Sequence, residues 1–256
     1  MALTVGRAKM FDRAGRPSVR DRRRLAPTHR PRQHPAAVRR ASRTAASHAG
    51  MTPEGILFVD ALPSFYDDLD GFRAEAWRRL AEGVGNRHSP FHTPALATVD
   101  PAGQPRLRTV VLRAAATGAG TLRFHCDRRS DKAREIADSG LSALHVYDGR
   151  AKLQLRLEGR ARLHRDDAVA DAAWAAALAM SRVCYGIDPA PGTALAAGDA
   201  YALPDEDPEA RLGRGNFCAV VLTVARMDLL YLDRRGHRRA VFSRDGEGWR
   251  GTWVVP

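Results

Sequence analysis

Residues 152–164 read KLQLRLEGRARLH, and polar and apolar side chains alternate along almost the whole stretch. A period of two is typical of a β-strand with one face in the core and the other towards water or a ligand. Gly159 interrupts the apolar face, which indicates a kink or bulge where a long strand bends around a barrel. The apolar face comprises Leu153, Leu155, Leu157, Ala161 and Leu163.

Other segments carry strand and helix signals of their own. We predict strands at 91–100, 107–115, 121–127 and 141–148, and two or three more from 217 to the last residue. We predict helices at 68–85, 130–140 and 166–181, and a long loop at 188–215. A parallel sheet would need a helix in nearly every connection, so this order favours a mainly β (α+β) fold, an antiparallel barrel with flanking helices.

The positive charge is concentrated at the start of the chain. Residues 1–50 hold 13 of the 41 Lys and Arg residues but two of the 29 Asp and Glu residues, so residues 51–256 are nearly neutral despite a net charge of +12. This Arg-rich segment lacks regularly spaced apolar residues and is predicted to be disordered. Three interpretations stay open: an extension ahead of a start at Met51, which we favour, a basic arm for nucleic acid, and a targeting peptide.

The remaining composition indicates a soluble protein. With 44% apolar residues the chain is not disordered throughout. Cys126, Cys184 and Cys218 are widely separated and form no CxxC pair, so we expect three buried free thiols in a reducing cytoplasm, and no zinc site. No apolar run approaches the ~20 residues needed to span a bilayer, so no membrane partner is expected.

Residues 128–133, RRSDKA, place three cations at a predicted strand-to-helix junction. Ser130 stands at the N-cap position of this helix, and Glu135 and Asp138 are predicted on its outer face. The start of a helix offers free N–H groups and a positive dipole end to an anion. The junction therefore predicts an anion site, although an ordinary N-cap beside a solvated lysine is the commoner origin of this pattern.

Three sequence pieces, in this order, resemble the pyridoxamine 5'-phosphate oxidase-like FMN-binding split-barrel family. They are RTVVLR at 108–113, FHCDRRSDKAREIA at 124–137 and LQLRLEG at 153–159. The family pattern is R-x-V-x-L-[KR], an aromatic and small-polar pair at a strand end, S-x-K-A opening a helix, and a Gln before x-x-x-G. The resemblance covers about residues 55–256 and implies a split β-barrel, FMN as cofactor, and a homodimer with the flavin at the subunit interface.

The resemblance also implies roles for individual residues. Arg108, Ser130 and Lys132 would hold the flavin phosphate, and the backbone of 108–113 would contact the isoalloxazine ring. Gln154 would bond the ring edge, Tyr231 would pack beside the flavin, and one of Arg238 and Arg239 would contact the phosphate. The implied cofactor-binding residues are Arg108, Thr109, Val110, Val111, Leu112, Arg113, His125, Cys126, Ser130, Lys132, Gln154, Tyr231 and Arg239.

Departures from the pattern indicate a divergent branch rather than the oxidase proper. Arg113 stands where the oxidases carry Lys, and the Ala-rich helix at 166–181 lacks the Tyr, Arg and Ser that grip the vitamer phosphate. We therefore expect an FMN-dependent oxidoreductase that transfers a hydride to or from flavin N5 on another small-molecule substrate, with Arg182 and Tyr185 as candidate contacts. No general base is evident, so catalytic residues are not assigned.

Other interpretations of the same residues stay open. The protein could be a flavin-binding module without turnover, and nucleic-acid binding through the basic arm is disfavoured by the neutral remainder. Arg108 and Arg113 could pair with acids such as Asp127 or Glu158. His125 could be a structural histidine.

Overall fold

The computed structural model describes residues 61–202, 204, 213–246 and 248–256. They lie in one unit, Phe58–Pro256, so the Arg-rich segment, the proposed start at Met51 and the predicted domain boundary fall outside the described residues. The helices are α1 (Leu69–Gly85), α2 (Asp131–Ser139), α3 (Ala168–Ala175) and α4 (Ala179–Val183). The strands are β1 (Ala95–Val99), β2 (Pro105–Thr109), β3 (Leu112–Ala116), β4 (Thr121–Asp127), β5 (Leu141–Asp148), β6 (Leu153–His164), β7 (Phe217–Tyr231), β8 (Arg238–Asp245) and β9 (Gly248–Val254).

The nine strands form one antiparallel sheet that curls without closing. Its order is β2-β1-β5-β6-β7-β4-β3, with β8 added to β7 and β9 to β8. The two ends of this path, β2 and β3, are joined by Val110 and Val111, so they lie within about 11 Å of each other by chain length. They do not pair, and the seam between them is the split of the barrel. The predicted antiparallel split barrel with flanking helices is confirmed.

The core fills the inside of the sheet and is closed by α1. Leu153, Leu155 and Leu157 of β6 point inwards, as the alternation predicted. On α1, Phe72 and Trp77 are buried, and the Phe72 ring stacks on Phe65 with centroids 5.3 Å apart. Burial of each such side chain stabilises the fold by about 2 kcal/mol, so α1 is held mainly by its apolar face.

β6 carries a bulge at Gly159, as predicted. The register between β6 and β7 shifts between Glu158 and Gly159, so the ladder carries a bulge at this point. A Cβ atom at Gly159 would lie 2.0 Å from the carbonyl oxygen of Thr223. Glycine is therefore required here because the backbone of β7 occupies the place of a side chain.

Several predicted boundaries differ from the structure. The run 107–115 is broken between β2 and β3, since the Val110 N–H donates to the Pro94 carbonyl instead of to a strand partner. The run 91–100 begins as a 3-10 turn at Pro90–His92. The helix at 166–181 is split into α3 and α4, with the Ala175 carbonyl taken by Arg182. Residues 188–202 of the predicted loop contain no helix or strand beyond an isolated bridge.

Two side chains are placed differently from the predictions. Glu135, predicted on the outer face of α2, is buried, with its side chain 6% exposed. Cys184, predicted to be buried, is exposed, whereas Cys126 and Cys218 are buried. In the described part of the chain no helix is both long and apolar enough to cross a bilayer.

Candidate functional site

The start of α2 offers unpaired donors. Ser130 occupies the N-cap, but its hydroxyl donates to the Asp127 carbonyl (2.6 Å) and makes no capping bond to the helix. The first helical N–H groups to be bonded internally are those of Ala133 and Arg134. Within the described residues, the N–H groups of Asp131 and Lys132 therefore have no acceptor, which is the arrangement that binds anions at helix starts.

Of the three cations in RRSDKA, Lys132 is the one that belongs to the helix start and keeps a free charge. Arg129 is held by Asp127, with Nη2 2.8 Å from the carboxylate, and by the Ile187 carbonyl (2.9 Å). Arg128 is exposed. Lys132 is half-buried and forms no ion pair with any described acid. Its ammonium is available to a negative ligand.

Arg108 is anchored to the same helix by an internal ion pair. Its Nη2 lies 2.8 Å from Glu135 of α2, and its Nη1 donates to Thr98 of β1. Thr98 in turn donates to Glu135 (2.5 Å). The suggested alternative partners, Asp127 and Glu158, are therefore not used by Arg108. A role in binding phosphate stays a prediction, and in the single chain Arg108 fixes α2 against the β1–β2 hairpin.

The segment 108–113 runs along the open seam of the barrel. Val110 is buried, and its N–H donates to the Pro94 carbonyl. The N–H of Val111 has no acceptor in the described part of the chain, because the strand pairing stops on both sides of it. This break provides the free backbone group that a contact to a flavin ring would need. Thr109 is exposed, and Leu112 is buried in the core.

Gln154 lies on the outer face of the sheet, as the alternation predicted. It stands between Tyr147 of β5 and Leu230 of β7, and it is half-buried. On the same face Arg239 donates two hydrogen bonds, of 3.0 and 2.9 Å, to the carboxylate of the fully buried Asp228. Hydrogen bonds from Arg239 and then from Arg156 lower the pKa of Asp228 below its ordinary 3.8. The guanidinium of Arg239 is thus already paired within the chain.

Tyr231 lies in the core, on the opposite side of the sheet from Gln154. It is 7% exposed, and its ring meets Phe65 and Tyr66 edge-on, with centroids 5.4 and 6.0 Å apart. A contact between Tyr231 and the flavin stays a prediction that this placement does not favour.

The predicted residues form two groups at opposite ends of β7. The helix start follows Asp127, which pairs with Phe217 at the beginning of β7, whereas Gln154 pairs with Leu230 near its end. These two positions are thirteen residues apart along the strand, up to ~40 Å of chain. One flavin cannot be expected to touch both groups of the same chain.

His125 and Cys126 end β4 on opposite faces. Cys126 is in the core, where a hydrogen bond with Cys218 and burial raise the pKa of its thiol well above the ordinary 9.0, so it stays protonated. His125 meets the Phe217 ring edge-on at 4.8 Å, and its Nε2 atom is buried and has no partner within the described ranges. Burial, followed by the charges of Arg123 and Arg113, lowers the pKa of His125 from 6.5 to about 4.

We expect the folded state to lose stability as the pH falls from 6.5 to about 4, because of His125. The unfolded chain takes up a proton near pH 6.5, whereas the folded chain resists it until about pH 4. Urea unfolding of the wild type and of His125→Gln at pH 7 and pH 4.5 measures this contribution. The variant should lose less stability between the two values, whereas His145→Gln, an exposed control, should behave as the wild type. Equal losses in the wild type and His125→Gln would contradict the assignment.

Residues 74–165 match the model of the family "Pyridoxamine 5'-phosphate oxidase, FMN-binding domain". These residues resemble the FMN-binding domain of that family. The resemblance found in the sequence is confirmed, and so is FMN as the cofactor of the matched domain. All the predicted site residues except Tyr231 and Arg239 lie within the match.

Two solved structures share the fold of this FMN-binding domain over most of the chain. One is a pyridoxamine 5'-phosphate oxidase-related, FMN-binding protein from Nostoc punctiforme PCC 73102, 27% identical, with a TM-score of 0.60 over 77% of this chain and 100% of that one. The other is PhzG from Burkholderia lata 383, solved with tetrahydrophenazine-1-carboxylic acid, 22% identical, with a TM-score of 0.59 over 77% of this chain and 99% of that one. No curated protein matches the sequence.

The structure adds residues to the candidate site that the sequence did not assign to it. Glu135 fixes Arg108, and Asp228 fixes Arg239. Arg123 lies beside His125 on the outer face of β4, and the alternation of Thr121, Arg123 and His125 along this strand was the signal that could have found it.

Proposed function

We propose that this protein is an FMN-dependent oxidoreductase that works as a homodimer on a small-molecule substrate. The observation that carries the proposal is the start of α2, where the N–H groups of Asp131 and Lys132 and the Lys132 ammonium have no partner among the described residues, within the stretch that matches an FMN-binding domain. A phosphate dianion is the ligand that suits these donors. We place the activity in the cytoplasm, since the three cysteines are free thiols.

The chain contributes binding and orientation to this chemistry. When bound, FMN supplies a ring that accepts or gives a hydride at N5. Asp131 and Lys132 would hold the phosphate through backbone N–H groups and the Lys132 ammonium. The N–H of Val111 would donate to the ring, and the amide of Gln154 would bond its edge. No described side chain is assigned a proton transfer.

A second copy of the chain would bring the two groups of site residues together. Gln154 stands beside Tyr147 on an outer sheet face that exposes large apolar side chains, with Leu107 71%, Leu141 52% and Tyr147 51% exposed. Exposed apolar area of this kind marks an interaction surface, and a two-fold pairing of identical faces would bury it. Gln154 of one copy would then meet the flavin held at Lys132 of the other.

The visible spectrum of the purified full chain tests the cofactor. We expect a yellow protein with flavin absorption bands, or one that becomes yellow after incubation with FMN and gel filtration. Colourless protein that does not take up FMN would overturn the proposal. Turnover assays with dioxygen, nicotinamide and deazaflavin acceptors then test the enzyme. A flavin-loaded chain inactive with every acceptor would be a binding module.

Mixed dimers test the shared site. Lys132→Ala and Gln154→Ala each damage both sites of their own homodimer, whereas a mixed dimer has one site with both changes and one with neither. We expect the mixed dimer to retain about one FMN per two chains at a concentration where each homodimer retains less. The dimeric site would be contradicted if the mixed dimer retained no more FMN than the homodimers. It would also be contradicted if sedimentation gave the mass of a single chain.

A further inference from the structure

Two of the three cysteines face each other across neighbouring strands. Cys126 of β4 lies directly opposite Cys218 of β7, and both side chains are buried in the core. A hydrogen bond joins the two sulfurs. Residues opposite each other in an antiparallel pair have Cα atoms about 4.5–5.5 Å apart, within the range of about 4.4–6.8 Å that a disulfide bridges. The backbone therefore already has the spacing that a disulfide needs.

The two thiols differ in acidity. The Cys126 thiol donates to Cys218, and this bond together with burial raises the pKa of Cys126 and keeps it protonated. The same bond lowers the pKa of Cys218 below the ordinary 9.0, burial opposes this shift, and the guanidinium groups of Arg165 and Arg128 add to it. The thiolate is the reactive form of cysteine, so Cys218 is the nucleophile of the pair and Cys126 its proton donor.

Cys218 is fully buried, but its neighbour Arg165 reaches the surface. Arg165 directly follows β6, is exposed, and hydrogen-bonds Cys218. The same arginine lines a cavity of about 400 Å³ between the C-terminal half of α2 and β6, together with Arg160 and Arg162. A rotation of the Arg165 side chain would therefore connect this cavity with the Cys218 sulfur, along a path that suits a small reagent.

We propose that Cys126 and Cys218 are a redox-active dithiol, which a peroxide converts to a disulfide between β4 and β7. The Cys218 thiolate attacks one peroxide oxygen, the O–O bond breaks, and the sulfur becomes a sulfenic acid. The other oxygen leaves as hydroxide and becomes water with the proton lost by Cys218. The Cys126 sulfur then attacks the Cys218 sulfur, the S–O bond breaks, and a second water leaves. Two electrons pass from the dithiol to the peroxide, and two electrons from a small thiol reductant restore the pair.

Peroxide treatment of the full chain carrying Cys184→Ser tests the pair, since this change removes the exposed thiol. The two remaining thiols are counted in urea after the reaction, and peptide mass spectrometry locates the products. We expect both thiols to disappear together and a cross-linked peptide, lighter by two hydrogen atoms, to contain Cys126 and Cys218. Dithiothreitol should restore both thiols.

Single-cysteine variants in the same background identify the nucleophile. Cys126→Ala leaves Cys218, which should form a sulfenic acid that dimedone traps, whereas Cys218→Ala leaves Cys126, which should stay unreacted. Arg165→Gln should slow the loss of thiols about 3- to 10-fold, because its charge favours the Cys218 thiolate. Arg162→Gln is the matched control: it removes a charge from the same cavity, but on the exposed face of β6, so the rate should be unchanged.

Three results would overturn the redox pair. They are survival of both thiols in peroxide that fully oxidises glutathione, a disulfide that joins two chains, and faster reaction of Cys126 alone than of Cys218 alone. If an alanine variant does not fold, the peptide map of the Cys184→Ser chain decides. The thiols can be counted on flavin-free protein, so the outcome does not depend on the proposed function.

Discussion

Replacing Lys132 with alanine is expected to weaken FMN binding about 10- to 100-fold, since a hydrogen bond to a charged group contributes about 1.5–3 kcal/mol. Lys132 is the ammonium at the start of α2 that no described carboxylate neutralises. Its side chain supports no part of the core, so the fold should be unchanged. Fluorescence titration of flavin-free protein with FMN measures the effect.

Two controls make the result specific. Arg134→Ala removes a positive charge from the same helix, but its guanidinium is exposed and pairs with Asp131 at the surface, so FMN affinity should change by less than about threefold. Riboflavin, which lacks the phosphate, should bind the wild type and Lys132→Ala equally. A larger loss for riboflavin than for FMN would place Lys132 at the ring and not at the phosphate.

Replacing Gly159 with alanine is expected to destabilise the fold by about 3 kcal/mol, at the upper end of the range for overpacking. The new Cβ atom would lie 2.0 Å from the carbonyl oxygen and 2.9 Å from the carbonyl carbon of Thr223. Both are backbone atoms of the central strand β7, so relief requires moving a strand that β4 and β6 also hold. Urea unfolding followed by far-UV circular dichroism measures the loss.

Gly118→Ala is the matched control, because a Cβ atom added there would have no neighbouring atom within 4 Å. Its stability should stay within about 0.5 kcal/mol of the wild type. If Gly159→Ala were as stable as Gly118→Ala, the tight approach of β6 to β7 would not exist in solution.

The sequence predicted the elements whose signals are local. The alternation along β6, the bulge at Gly159 and the N-cap position of α2 are each encoded within a few residues, because strand period, close backbone approach and helix starts depend on near neighbours. The family pattern added the cofactor, which no periodicity could supply.

The pairings that decide which charges remain free could not be predicted in this way. Glu135 binds Arg108 from 27 residues away, and Asp228 binds Arg156 from 72 residues away. Such contacts depend on how the sheet curls and on which helix face it covers, and both are set by the whole core. For the same reason Glu135 was assigned to the wrong side of α2.

The ion pair between Arg108 of β2 and Glu135 of α2 ties together the two parts of the chain that would hold the nucleotide in the proposed site. Val110 and Val111 follow Arg108 closely, so a movement of α2 would move them too, and the distance between the proposed phosphate and ring contacts would be set when the chain folds. The conformational entropy of these segments would then be lost on folding and not on binding, and such preorganisation increases affinity.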